Sequence, residues 1–434
     1  MVSLILYLLA FFIPYSESLK LEVGPAEVSV PYILASAGLV LLIVALAAHV
    51  RRGLQCNLPM LAFFLVYIGV SALHLLARQL NGAVWGDYEA RLIEQNGRFV
   101  LSLVIALYVM NAAAERRHVD RVLQIVAVTA AVVSAYGIYQ VLGTFLGIYR
   151  PLLPHTASYG VAPGQTGASR AVATMKEPSY FAGFLVFSII VTICCLLSSR
   201  NHLWRRRALF LSLVVQATAM LLTTSTGGFV GLVVGLAVFL MLVESRARRR
   251  AAFYLGAAAA CCAPAVVWLA MTFSGFRWQL ILNVLQKAGS ISAQERGDFL
   301  KSALAMFGDY PLLGVGAGNY GNYLPTYTIA FGARRHFIPN NVYAEILCEA
   351  GAFAFIAFVV MVSAILVRAY RGWRGSPGGD LTGAALLSAL AGMMVQFVAY
   401  PTFKMEFTWL LFGLSIAYAR LAGSTSRCRM QAPT

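Results

Sequence analysis

The sequence predicts an all-α integral membrane bundle of about twelve transmembrane helices, with a large outer loop carrying amphipathic helices. Three observations predict it. Of 434 residues, 60% are hydrophobic and only 12% charged, about half the charge density of soluble domains. The mean hydropathy is +0.75. Apolar runs long enough to cross about 30 Å of hydrocarbon recur from one end of the chain to the other. This composition excludes a secreted disulfide scaffold, a DNA-binding domain and a cytoplasmic Rossmann enzyme, despite a formal net charge of +16. It suits one membrane domain over 1–434 rather than an anchor with a soluble domain.

The runs fall near 2–15, 31–50, 58–77, 99–114, 121–149, 178–197, 208–224, 228–243, 252–273, 341–367, 381–399 and 405–419. They are rich in Leu, Val, Ala and Phe without period-2 alternation, so they read as helices rather than barrel strands. The first is short and contains Pro14, but has no positive flank and no small-residue cleavage site, and is expected to be retained as a helix.

Orientation follows from lysine and arginine. Alternate connections carry Arg51-Arg52, Arg116-Arg117, Arg205-Arg206-Arg207, Arg246 with Arg248-Arg249-Arg250, Arg371 to Arg374, and the arginines of the C-terminal tail. Of the 33 basic residues, 19 lie on this side and 14 on the other. The positive-inside rule makes the denser side cytoplasmic, with both termini there. The basic balance thus reports topology, and no nucleic-acid partner is expected. Five of the seven cysteines fall in apolar runs and the others, Cys56 and Cys428, near the cytoplasmic side, so neither an outer disulfide nor a zinc site is expected.

The outer loops are unequal. The segment 78–98 balances three basic against three acidic residues, whereas 150–177 carries Arg150, Arg170 and Lys176 against Glu177. The longest, 274–340, carries Arg277, Lys287, Arg296, Lys301, Arg334 and Arg335 against Glu295, Asp298 and Asp309. Positive charge concentrated on the outer side runs against the usual bias and points to an anionic ligand there.

Within the long loop, Leu300, Leu304 and Phe307 recur at helical spacing, which predicts an amphipathic helix on the membrane surface. Pro311 stops it, and Gly314, Gly316 and Gly318 permit turns with positive φ. The run is too loosely spaced to be a phosphate-binding loop by itself. The loop ends at Asn340-Asn341-Val342-Tyr343 and enters a membrane helix whose Glu345 and Glu349 share a face; carboxylates at that depth must face protein or a wet cavity. They can equally be interfacial groups stabilised by the helix N-terminus. Gly227, Gly231 and Gly235 form a ladder suited to close helix packing.

These residues carry a resemblance. The run from Arg296 through Asp309-Tyr310-Pro311-Leu312-Leu313-Gly314-Val315-Gly316 to Asn340-Asn341-Val342-Tyr343, Glu349 and Gly351 resembles the signature of the O-antigen ligase and O-antigen polymerase superfamily. Glu177-Pro178-Ser179-Tyr180-Phe181 is similar to the form seen in its exopolysaccharide-type polymerases, although Pro178 and Glu177 also suit a plain helix start. There are two departures. Ligases of the superfamily place His directly before Asn at the loop's end, where this chain has Asn340, with His336 four residues earlier. Thr226 stands in an outer turn where Arg is common.

The resemblance implies a glycosyltransferase of the bacterial inner membrane, with its site on the periplasmic side between loops 150–177 and 274–340. Its substrate would be an undecaprenyl-diphosphate-linked glycan, its other partners membrane lipid and, as a candidate, a chain-length regulator protein; no cofactor or metal is implied. The favoured activity is polymerisation of repeat units, the runner-up is ligation of the glycan to lipid A-core, and a transporter or flippase is the alternative from another class. Transporters usually show internal repeats, which this chain lacks. Such a transfer needs charge stabilisation on the departing diphosphate and a base at the acceptor hydroxyl. Arginine's planar fork suits the first role, so Arg170, Arg296 and Arg277 are the expected diphosphate ligands, with Arg334 and Arg335 as an electrostatic funnel. Glu177 and His336 compete for the base. Arg334 and Arg335 disfavour the protonated form of His336, while Lys176 keeps Glu177 ionised and burial would raise its pKa. Asn340, Asn341, Tyr343 and Glu349 are the expected sugar contacts.

Overall fold

The computed structural model describes residues 1–23, 26–48, 54–82, 84–153, 170–199, 202–272, 291–328, 338–376 and 380–430. Helix α1 (Val2–Phe12) leads through a 3-10 turn (Ile13–Tyr15) into a hairpin of β1 (Lys20–Val23) and β2 (Ala26–Ser29), paired antiparallel with Lys20 opposite Ser29. Helices α2 (Val30–Ala48), α3 (Leu58–Leu80), α4 (Asp87–Ala112), α5 (Arg116–Phe145), α6 (Pro178–Ser198), α7 (Leu203–Thr223), α8 (Thr226–Leu242) and α9 (Ser245–Thr272) follow. Then come α10 (Ile291–Asp309), the short α11 (Tyr320–Tyr327), α12 (Val342–Gly375), α13 (Leu381–Phe397), a 3-10 turn (Thr402–Lys404) and α14 (Glu406–Met430).

The helical bundle agrees with the sequence reading, with one small exception and one difference of count. The hairpin is strand, in residues with no assigned run. Each of the twelve apolar runs overlaps a helix, but seven helices among the described residues are long and apolar enough to cross a membrane, not twelve. The stretches Val2–Tyr15, Thr226–Leu242 and Leu381–Phe397 are apolar but shorter than a full span.

Helix α6 is the axis of the bundle. It is apolar on every face and nearly all of its residues are buried, as expected of a helix enclosed by others; α5, α7, α8 and α13 pack around it. The glycine ladder of α8 meets α13 at main-chain distance. A Cβ on Gly231 would stand 2.8 Å from the Gly392 carbonyl oxygen, and one on Gly235 3.0 Å from that of Ser388. Only residues without side chains let two backbones approach this closely.

Several helix starts are fixed by side chains. Ser225 caps α8, Asn341 caps α12 and Asp380 caps α13, each accepting a main-chain N–H of the first turn. At the end rich in arginine, a cavity of about 900 Å³ opens between α5, α6, α7 and α13, walled by Arg116, Asp120, Cys195, His202, Arg205 and Asp380. Arg116 makes a two-point ion pair with Asp380, which also accepts the Tyr418 hydroxyl. None of the expected site residues lines this cavity; those that are described gather at the other end.

Candidate active site

Helix α12 is two helices in sequence. At Gly351 the backbone turns to φ 74°, ψ −175°, a region open only to glycine. The break frees carbonyls of the preceding turn, and the loop after α10 takes them up. Val315 donates its N–H to the Cys348 carbonyl (2.8 Å) and Gly316 to that of Glu349 (2.9 Å), while Ala352 donates to the Pro311 carbonyl (2.8 Å). The Asp309–Gly316 signature is therefore a plug seated in a helix break. From the other side His74 Nε2 reaches the Leu313 carbonyl (3.1 Å), and the Tyr88 hydroxyl donates to that of Val315 (3.0 Å).

Both carboxylate oxygens of Glu349 are engaged here. Oε2 accepts the Gly318 N–H (2.8 Å) and Oε1 that of Tyr320 (3.3 Å). Glu345, one turn earlier, pairs with Lys404 Nζ at 2.6 Å, and the same ammonium stands 4.0 Å from Glu349. Burial alone would drive the Lys404 ammonium toward its neutral form, but Glu345, Tyr67 and Glu349 together outweigh it and hold the group charged.

The second part of the site is the segment entering α6. Ala171 to Met175 are buried in the bundle, tied by the Ala171 N–H to the Leu222 carbonyl (3.0 Å) and by a reciprocal pair between Ala173 and the Gln140 amide (2.6 and 2.9 Å). Arg170 Nε donates to the Thr223 carbonyl (2.9 Å), so its guanidinium lies against the α7–α8 turn, the turn in which Thr226 stands where arginine is common. Pro178 occupies the first turn of α6, and Glu177 is the N-cap residue without a capping bond from its side chain. Burial pushes the Glu177 carboxyl above its ordinary value, against Lys176, Arg170 and Arg296, which favour the ionised form. Arg296 comes from α10, more than a hundred residues later, yet acts electrostatically on this carboxyl. Two expected arginines, one from the segment entering α6 and one from α10, thus lie within electrostatic reach of Glu177. Tyr180, in the first turn of α6, packs edge-on against Tyr400 (ring centroids 5.0 Å) and lies within electrostatic reach of both Glu177 and the Glu345–Lys404 pair.

The remaining expectations divide. Asn340 has φ 55°, a left-handed conformation that asparagine tolerates better than most residues. Asn341 is bound to its capping role (Ala344 N–H, 3.1 Å), and Tyr343 donates its hydroxyl to the Met394 carbonyl of α13 (2.9 Å). Arg277, Arg334, Arg335 and His336 lie outside the described residues. Helix α10 buries Phe299, Ala303 and Met306 against α11 and α12, while Leu300 and Leu304, of the apolar stripe expected at the membrane surface, are exposed. The helix is apolar on two adjoining faces, and the better-packed one is the one that meets protein. Tyr180 was legible only as a member of the Glu177–Phe181 motif, and Lys404 was not singled out by sequence reasoning. The only signal was a polar residue isolated in the apolar stretch between the last two helices. Among the described residues no group of three or more His, Cys, Asp or Glu could hold a metal ion.

A bundle with seven helices long and apolar enough to cross a membrane defines the class as a multi-pass membrane protein. Residues 209–359 match the family model described as O-antigen ligase. Over these residues the match supports the O-antigen ligase and polymerase superfamily. The matched region runs from α7 into α12 and takes in Arg296, the plug and the break; Arg170 and Glu177 precede it. No curated protein matches the chain.

Proposed function

We propose that this protein polymerises undecaprenyl-diphosphate-linked oligosaccharide repeat units at the periplasmic face of the bacterial inner membrane. The observation that carries the reading is that Arg170 and Arg296 both act electrostatically on the Glu177 carboxyl, with Arg170 held against the α7–α8 turn by the Thr223 carbonyl. In the reaction, an acceptor sugar hydroxyl on one lipid-linked unit attacks the anomeric carbon of another. The new glycosidic bond forms as the anomeric C–O bond to the diphosphate breaks, and undecaprenyl diphosphate departs with the bonding electrons. The hydroxyl proton passes to Glu177, whose burial makes it a stronger base than an exposed carboxylate. Arg170 and Arg296 stabilise the charge growing on the leaving diphosphate, where preorganised donors act most strongly. Arg277, Arg334 and Arg335 extend the positive surface, His336 is the second candidate for the base, and Asn340, Asn341, Tyr343 and Glu349 border the acceptor sugar. The arginine-dense helix ends support a cytoplasmic location for the opposite face and both termini.

The family description favours a second reading, transfer of the glycan to lipid A-core. Purified protein given only the lipid-linked repeat, with a chelator present, separates the two. A polymerase makes a ladder of longer chains. Transfer that waits for lipid A-core would establish the ligase, and a ladder abolished by the chelator would refute arginine-based stabilisation without metal.

A further inference from the structure

Lys404 sits on the 3-10 turn between α13 and α14, and the turn is fixed on every side. Phe403 packs among Phe63, Phe99, Phe358, Phe397 and Trp409, with ring centroids 5.2–6.0 Å away. The Thr402 carbonyl accepts the Thr408 hydroxyl (2.8 Å), and that of Phe403 accepts the Trp409 indole N–H (2.9 Å). From this fixed base the ammonium reaches back to Glu345 (2.6 Å) and Glu349 (4.0 Å).

A charge placed inside an apolar bundle is costly and marks function more often than stability. A buried pair can often be replaced by apolar residues with no loss of stability. What this ammonium controls can be followed through named bonds. Glu349 holds the Gly318 and Tyr320 amides. The Tyr320 hydroxyl donates to the Phe299 carbonyl of α10 (2.9 Å). Phe299 lies one helical turn beyond Arg296, and Arg296 acts on Glu177. Without Lys404, Glu345 and Glu349 would face each other as like charges one turn apart, and the hold on the loop amides would loosen.

We infer that Lys404 is a positioning residue of the transfer site, which sets the place of Arg296 through Glu349, Tyr320 and α10. The inference rests on the reading of Arg296 as a diphosphate ligand. It adds a residue that contacts no substrate and lies outside the family match.

Two measurements on the full-length protein in lipid nanodiscs test it. The first is hydrogen exchange. In Lys404→Met, the amides of 314–324 and of α10 exchange faster than in the parent, while those of α6 do not change. Glu349→Gln, which keeps the volume and weakens one acceptor, gives the same pattern and serves if Lys404→Met does not fold. Unchanged exchange in 314–324 and α10 in whichever variant folds overturns the inference. The second is a mutant cycle on ladder formation. Lys404→Met slows the ladder about tenfold, Lys404→Arg restores most of the rate, and in an Arg296→Lys background Lys404→Met adds less than about twofold. Effects that multiply would show that Lys404 does not act through Arg296. A parent protein that makes no ladder removes the polymerase reading and leaves hydrogen exchange to decide the Lys404 linkage alone.

Discussion

The α-carbon of Gly351 faces the main-chain carbonyl of Leu312 so closely that a Cβ on Gly351 would overlap it. One hydrogen atom is all the space allows, and the seating of the signature loop in the helix break depends on it.

Gly351→Ala therefore meets two penalties, a φ of 74° with ψ −175° and the collision with Leu312. Together they cost about 3 kcal/mol or more. Thermal unfolding of the purified variant should show a clearly lowered midpoint, whereas Gly69→Ala, with nothing within 4 Å, should melt close to the parent. Equal melting of the two would show that the break is not strained.

The two arginines near Glu177 are expected to act in the transition state rather than in folding. Arg170→Lys and Arg296→Lys keep the charge and lose the planar fork, so ladder formation should fall by about 10²–10³, or ~2–4 kcal/mol, for each. Protein yield and monodispersity should hold. Near-normal chain length in both variants would reduce these residues to interfacial anchors.

Glu177 gives a pH signature. Burial raises its pKa, and a base works only when ionised, so the rate should fall on the acid side at a pH above that of an exposed glutamate. Glu177→Gln should lose both the rate and this limb of the profile. For stability the sign is reversed. A carboxyl with a raised folded-state pKa favours folding while it is protonated, and that contribution is lost as pH rises through the folded value. Glu177→Gln should then be slightly more stable than the parent at neutral pH. An unaltered acid limb in a variant that still turns over would assign the base elsewhere.

Asp380 is the counterexample at the opposite end. Burial would raise its carboxyl, but Arg116 and Tyr418 hold it below its ordinary value. Its contribution is present above the unfolded-state pKa and lost as pH falls through the folded one. Asp380→Asn should cost about 1–3 kcal/mol at neutral pH, with the gap to the parent closing in acid and ladder formation unchanged. A variant as stable as the parent at pH 7 would make the ion pair incidental.

Orientation is tested by labelling. In a Cys56→Ser background, Trp85→Cys, at an exposed site between α3 and α4, should react with an impermeant thiol reagent in intact spheroplasts. Arg206→Cys should react only after lysis. The reverse pattern would turn the molecule over and move the site to the cytoplasm.

What the sequence disclosed depended on the range of the interaction. Apolar runs report helices because burial in lipid acts residue by residue, and Pro178 and Asn341 mark helix starts by local chemistry. The Lys20–Ser29 hairpin has strands of four residues each, too short to show an alternation. In α10 the buried face, Phe299, Ala303 and Met306, lies one position from the apolar stripe of Leu300 and Leu304. Periodicity shows that a face exists, but not which of two adjoining faces meets protein. Arg170, Arg296 and Glu177 were legible as charges in polar connections, while the electrostatic reach of Arg296 to Glu177 was implied only by family resemblance. Lys404 was not legible, because its partners lie more than fifty residues upstream and nothing in the intervening chain encodes the contact.

The seam between α8 and α13 works as a ruler. With Gly231 and Gly392 in main-chain contact, the distance between the Ser225 turn and the Gln396–Tyr400 segment is set by backbone dimensions, not by rotamers. Ser225 Oγ stands 3.4 Å from Ser179 Oγ, and the Gln396 amide donates to the Ser179 carbonyl at 2.8 Å. The floor beneath Glu177 is thereby referenced to covalent geometry. The lipid-facing side chains of these helices can be exchanged without shifting it, whereas a single methyl group added at the seam would be read out at the site.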